Sequence, residues 1–405
     1  MACPVIERMR PFLGLALIAV VTEACGAPGS LPISSTSLPS ASTQLPSVSA
    51  TRTPSASCVD LILDRLTLAQ RVGQLFAMGL ANDELGPAEL GAIHTYHVGS
   101  VWFTETTSAG AAAVRAVTTA VQAQATPAAT GGVRFLVAAN QEGGMIQALR
   151  GNGFSTIPTA VTQGTLDPAT LRRDAETWGT ELADAGVELN FAPVLDVVPA
   201  GTGSQNAPIG ALQRQFGSDP ATVAAHGIAF IRGMAAAGIA TTAKHFPGLG
   251  RVRGNTDTVA RVIDTVTTPN DPYLLPFRAA VAQGVPLVMV SLAIYTRIDP
   301  NHLAAFSPKV MRLLRTRMGF GGVIASDSLT AAAVSSIPPA ERALDFLSAG
   351  GDLIVSKTVG PTEAMAAAVL ARAVSDRAFK ARVNDAVRRI LSEKGTAGLL
   401  PCPAS

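Results

Sequence analysis

The chain has 405 residues, of which 48% are hydrophobic and 15% charged, and a net charge of +2. That is ample apolar material for a large core and too much for a disordered protein. The near-neutral balance gives no electrostatic case for nucleic acid or a strongly acidic partner, and the excess of Arg (26) over Lys (5) reads as the stamp of a GC-rich genome.

Residues 1–24 read as a secretory signal. Arg8 and Arg10 supply the positive start, and Pro11–Thr22 is an apolar run too short to span a membrane. Ala24-Cys25-Gly26 then has the form of a bacterial lipoprotein cleavage site with Cys25 acylated, although Thr22 and Glu23 replace the usual apolar and small residues. Secretion without a lipid is the first alternative and a cytosolic protein the second; the first two readings place the protein outside the cytoplasm. Residues 25–57 form the tether, and Gly26–Ser57 is rich in Ser, Thr and Pro with Arg52 as its only charge. Such a segment buries no core and, as a random coil, spans roughly 30 Å. Cys58 and Cys402 remain at the two edges of the folded region 58–405. In an oxidising compartment that pair is expected to form a disulfide, with two free thiols as the alternative.

From Val59 the pattern alternates. Short apolar runs fall at Val72–Met78, Gly99–Phe103, Arg134–Ala139, Val187–Ala192, Ile239–Ala243, Leu287–Ser291, Gly322–Ala325 and Asp352–Val355. Helical patterns fall at Gly86–His94, Ala109–Gln124, Leu171–Ala185, Ala221–Ala237, Tyr273–Gln283, Pro308–Met318, Ala340–Ala349 and Thr362–Val374. Eight strands alternating with eight helices predict an α/β fold, a single (β/α)₈ TIM barrel, with a doubly wound sheet as the alternative.

Polar residues gather just after these strands. Asn140-Gln141-Glu142 follows the third, Asp196 the fourth, Lys244-His245 the fifth and Asp327 the seventh. Strand C-termini share one face of a barrel, so this loading in one sense points to an active site there. Each residue also has a plainer role: Asp327 as a helix N-cap, Lys244 in a buried ion pair with Asp196. No His/Cys cluster has metal-ligand spacing, and no cofactor is expected.

The strings Asn140-Gln141-Glu142-Gly143-Gly144, Asn190–Asp196, Arg214-Gln215-Phe216-Gly217, Lys244–Gly250 and Ser326–Leu329 come in one order. Together they resemble a single-domain bacterial β-N-acetylglucosaminidase of glycoside hydrolase family 3, of the actinobacterial lipoprotein type, over roughly Leu61 to Lys394. The resemblance implies Asp327 as nucleophile of a retaining mechanism, with Lys244, His245, Arg214 and Asn140 on sugar hydroxyls, and Arg150 close by. It also implies a carbohydrate substrate drawn from peptidoglycan and a monomer.

The chain departs from the family at several places. The family acid/base is a His two residues after an Asp; here those positions hold Asp257 and Asn255. Asp257 is therefore expected to act as the acid itself, provided burial or Asp327 raises its pKa; the alternative is an exposed turn. An anionic base disfavours phosphate, so hydrolysis is expected over phosphorolysis. Asn140 replaces a family Asp, Ala148 a family Arg, and Leu249 and Leu292 residues that are often His. The competing functions are another exo-β-glycosidase, such as a β-glucosidase, and a glycan-binding lipoprotein without catalysis.

Overall fold

The computed structural model describes residues 54–402, with side chains from Cys58 onward. The expected signal segment and Cys25 lie outside the described residues. Eight strands form one parallel sheet: β1 Phe76–Leu80, β2 Ser100–Phe103, β3 Leu136–Ala139, β4 Leu189–Asn190, β5 Ala240–Phe246, β6 Leu287–Val290, β7 Val323–Ser326 and β8 Ile354–Ser356. Their order is β7-β6-β5-β4-β3-β2-β1-β8. A parallel bridge from Ala325 to Leu353 joins β7 to the start of β8 and closes the ring. A TIM barrel results, and the doubly wound alternative is set aside.

These residues form this sheet because the strands are short, apolar and buried on both faces. Val101, Val137, Leu189, Val288, Ile324 and Ile354 are all almost wholly shielded from solvent, as a parallel sheet under helices requires. The helices start where Asp precedes Pro. Asp167 and Asp219 accept backbone N–H bonds ahead of helices Pro168–Asp184 and Pro220–Ala236. Proline at the first helical position loses only an N–H that would lack a partner anyway.

Two expectations are corrected. The first apolar run does not begin at Val72, because Leu68–Gln74 is a helix and the strand starts at Phe76. Thr67 and Gln70 cap each other there, a box that favours helix over strand. The Pro308–Met318 helix is α-helical only to Arg312 and then widens into a π-turn over Leu313–Arg317.

The sequence reading also omits two helices, Pro54–Arg65 and Arg377–Thr396. They pack on each other and carry the two ends of the described chain. Cys58 and Cys402 are joined there with an S–S distance of 1.95 Å. Closing a loop of 344 residues removes entropy from the unfolded chain worth roughly 5–6 kcal/mol.

The long C-terminal helix also places Lys394 beneath the barrel. Its Nζ donates to Gln74 Oε1 (2.7 Å), the Gly99 carbonyl (2.6 Å) and the Arg134 carbonyl (3.0 Å). These acceptors precede β1, β2 and β3, so one ammonium ties three strand entries together. Burial pushes its pKa down to about 7, against the pull of the Glu188 charge. Lys394→Met is expected to lower stability by roughly 1–3 kcal/mol, because buried acceptors lose their donor. Denaturant unfolding measures this; an unchanged midpoint would contradict the role.

Candidate active site

At the C-terminal ends of the strands lies a cavity of about 410 Å³. Its floor is the top layer of the barrel, with Trp102 from β2, Phe191 just past β4, Met289 from β6 and Val355 from β8. Trp102 and Phe191 meet edge to face, 6.0 Å between centroids, and give the floor a rigid apolar surface.

The polar wall is built around Glu142. Its carboxylate takes both Arg214 Nε (2.8 Å) and Nη2 (2.7 Å), a two-point contact. The same carboxylate pairs with Lys244 Nζ at 2.6 Å. Lys244 donates a second bond to Asn140 Oδ1 at 2.8 Å. Burial alone would raise the Glu142 pKa, but the charges of Arg214 and Lys244 together outweigh it and hold it at about 2. Burial pushes Lys244 below the usual lysine range; Glu142 opposes that shift and Arg214 adds to it.

Lys244 and His245 are consecutive, yet both line the cavity. Neighbouring residues of a regular strand point to opposite faces. Here the pairing with β6 slips, since Ala243 faces Val288 while Phe246 faces Val290. The extra residue in β5 is a bulge, a device that re-aims side chains. Asp196 then fixes the imidazole. It accepts from His245 Nδ1 (2.7 Å), the His245 backbone N–H (3.2 Å) and the Leu249 backbone N–H (2.8 Å). With Nδ1 protonated toward Asp196, Nε2 remains an acceptor, 3.5 Å from Arg214 Nη2.

Asp327 follows β7 directly and lines the cavity. Its Oδ1 accepts the Ser328 N–H at 2.8 Å. The next α-helix begins only at Pro339, so the N-cap role is excluded. Facing it is Asp257, at the solvent-open lip of the same cavity. Desolvation on its inner side, then the Asp327 charge, raises the Asp257 pKa against the pull of Arg214, His245 and Lys244. The Asp257 loop is not free. Ala332 N–H binds the Asp257 carbonyl (3.3 Å) and Ala333 N–H the Thr256 carbonyl (3.0 Å), stitching it to the segment after Asp327. Asn255 Oδ1 accepts the Asp257 N–H at 3.0 Å, so the turn expected for this stretch exists and aims Asp257 across the cavity.

The structure thus brings Asn140, Arg214, Lys244, His245, Asp257 and Asp327 around one cavity. Arg150 is corrected: it does not line the cavity, and its guanidinium is engaged by the Gln147 and Gly144 carbonyls at 2.9 Å each. The Lys244–Asp196 pair is also corrected, since Lys244 pairs with Glu142 and Asp196 with His245. Glu142 was quoted in the motif without a role. Its distance of two residues from Asn140, at a strand end, was the available signal.

The family model described as the glycosyl hydrolase family 3 N terminal domain matches residues 67–393. A crystal structure of the β-N-acetylhexosaminidase from Beutenbergia cavernae superposes with a TM-score of 0.80 and 49% identity, covering 82% of this chain and 99% of that one. The family 3 β-N-acetylglucosaminidase of a Paenibacillus strain gives 0.75 and 30%, over 84% of this chain and 64% of that one. A β-hexosaminidase of Stenotrophomonas maltophilia is 37% identical over 235 residues, 54% of this chain and 66% of its own length.

The ionised Glu142 supplies stability above its ordinary pKa that is lost as pH falls from about 4.5 toward about 2. Glu142→Gln is expected to flatten that acid limb of the stability curve. Thermal melts of both proteins across this range test it; parallel curves would contradict the pairing.

Proposed function

We propose a catalytic reading for a chain that belongs to glycosyl hydrolase family 3: a retaining exo-β-N-acetylhexosaminidase that releases terminal β-linked N-acetylglucosamine. The observation that carries it is two carboxylic residues, Asp327 and Asp257, facing one cavity whose wall holds Lys244, His245, Arg214 and Asn140. The named activities of the Beutenbergia, Paenibacillus and Stenotrophomonas proteins support the sugar.

The first step is attack of an Asp327 oxygen on the anomeric carbon. The bond to the leaving oxygen breaks, and Asp257 gives that oxygen its proton. In the second step Asp257 takes a proton from water, whose oxygen displaces Asp327 and frees the sugar. The raised pKa of Asp257 suits this exchange, because the group must be protonated in the first step and anionic in the second. Lys244, Arg214 and Asn140 hold the ring hydroxyls, and His245 offers an acceptor. Water rather than phosphate is the acceptor of the glycosyl group, because an incoming phosphate anion would meet the anionic Asp257, Asp327 being an uncharged ester at that stage. Cell-wall fragments are the substrate we assign, with the protein acting as a monomer held outside the cytoplasm through a lipid on Cys25.

Asp327→Asn is expected to lower kcat on an aryl N-acetyl-β-glucosaminide by at least roughly 10⁴-fold; retained turnover would sink the nucleophile assignment. Asp257→Ala should lose roughly 10²–10⁴-fold in kcat/KM on a poor leaving group and far less on an activated phenol, whose departure needs no proton. Equal losses on both would contradict its role. In the parent enzyme kcat/KM should fall as pH rises through the raised Asp257 pKa, and that limb should vanish in Asp257→Ala.

A further inference from the structure

Asn140 has two chemically different ends, and the structure fixes which one meets the substrate. Its Oδ1 accepts from Lys244 Nζ at 2.8 Å. An ammonium has only donors, so the amide cannot turn its nitrogen that way. The backbone on either side is also pinned. The Asn140 carbonyl accepts the Ala148 N–H at 2.9 Å. The next residue, Gln141, donates its backbone N–H to Asn190 Oδ1, and its side chain donates to the Leu149 carbonyl and accepts the Leu149 N–H. Among the described residues Asn140 Nδ2 has no partner, while Asn140 lines the cavity.

The neighbours have the same sense. Lys244 spends two of its three donors on Asn140 and Glu142. Arg214 spends Nε and Nη2 on Glu142 and one Nη1 hydrogen on the Pro208 carbonyl. What is left over at this end of the wall is therefore donors only. The acceptors around the cavity are His245 Nε2, which already faces Arg214 Nη2 at 3.5 Å, and the carboxylates of Asp257 and Asp327. A carboxylate at position 140 would present an acceptor here; the amide presents two N–H groups.

We propose that Asn140 is a specificity-determining residue that reads the oxygen of one ring hydroxyl and not its proton. The site then takes sugars in which that hydroxyl is replaced by a proton-free acceptor, a fluorine being the smallest. This rests on the reading of the chain as a β-N-acetylhexosaminidase.

The test is the competitive Ki of N-acetylglucosamine and of its deoxy and deoxyfluoro analogues at each ring hydroxyl in turn, read against turnover of an aryl N-acetyl-β-glucosaminide, because a ring fluorine slows glycosyl transfer itself whatever Asn140 does. At one position the deoxyfluoro sugar should bind about 3–10-fold more tightly than the deoxy sugar, the worth of one neutral hydrogen bond. Asn140→Asp should reverse that order, because a carboxylate repels fluorine and binds the hydroxyl proton. Asn140→Ala, which keeps no donor, should bring the two analogues level and carries the test if the Asp variant does not fold. Equal deoxy and deoxyfluoro affinities at every position in the parent enzyme, or an order unchanged by both variants, would overturn the inference alone. No turnover of the unmodified aryl glycoside would overturn the underlying reading, and this inference with it.

Discussion

Two buried cations, Lys244 and Arg214, share one wall only because Glu142 lies between them. Each comes from a different part of the ring: Glu142 follows β3, Arg214 lies in the loop after β4, and Lys244 lies near the C-terminal end of β5. Remove the carboxylate and two positive charges face each other away from water, a situation buried sites do not tolerate. The ion triad therefore fixes how these three chain segments meet, and through Lys244 it also fixes the orientation of Asn140. The Asp196–His245 contact is a second brace on the adjoining residue of β5. Together they hold a polar wall over an apolar floor, the combination that sugar rings with polar edges and apolar faces require.

The barrel was legible because its strands are buried on both faces and so read as continuous apolar runs. Seven of the eight expected runs overlap the observed strands closely; the first was drawn toward the N-terminus by Val72 and Leu75, which belong to a capped helical turn. The helix Arg377–Thr396 was overlooked although Phe379, Val383, Ala386, Val387, Ile390 and Leu391 recur at helical spacing, because six cations between Arg377 and Lys394 obscure the stripe. Lys394 was illegible for a deeper reason. A lysine read from sequence is a surface group, and only the convergence of three strand entries makes it a core residue.

At the site, strand ends located Asn140, Lys244 and Asp327 without any geometry. What sequence could not give was pairing. Lys244 could have met Asp196 or Glu142, and the choice depends on a one-residue slip between β5 and β6 that no local pattern announces. Arg150 failed for a similar reason: its guanidinium folds back onto the Gln147 and Gly144 carbonyls just before it in the chain.

The departure at Asp257 gives the site its character. Where the family pattern has an imidazole, this chain has a carboxyl group whose proton affinity is raised by desolvation and by the charge of Asp327. The loop that carries it is bonded to the segment carrying Asp327, so the two groups are held as a pair. The most direct test of that pairing is the anomeric configuration of the first sugar released, followed by proton NMR before mutarotation. The account predicts the β-anomer, formed by double displacement on Asp327; the α-anomer appearing first would contradict it.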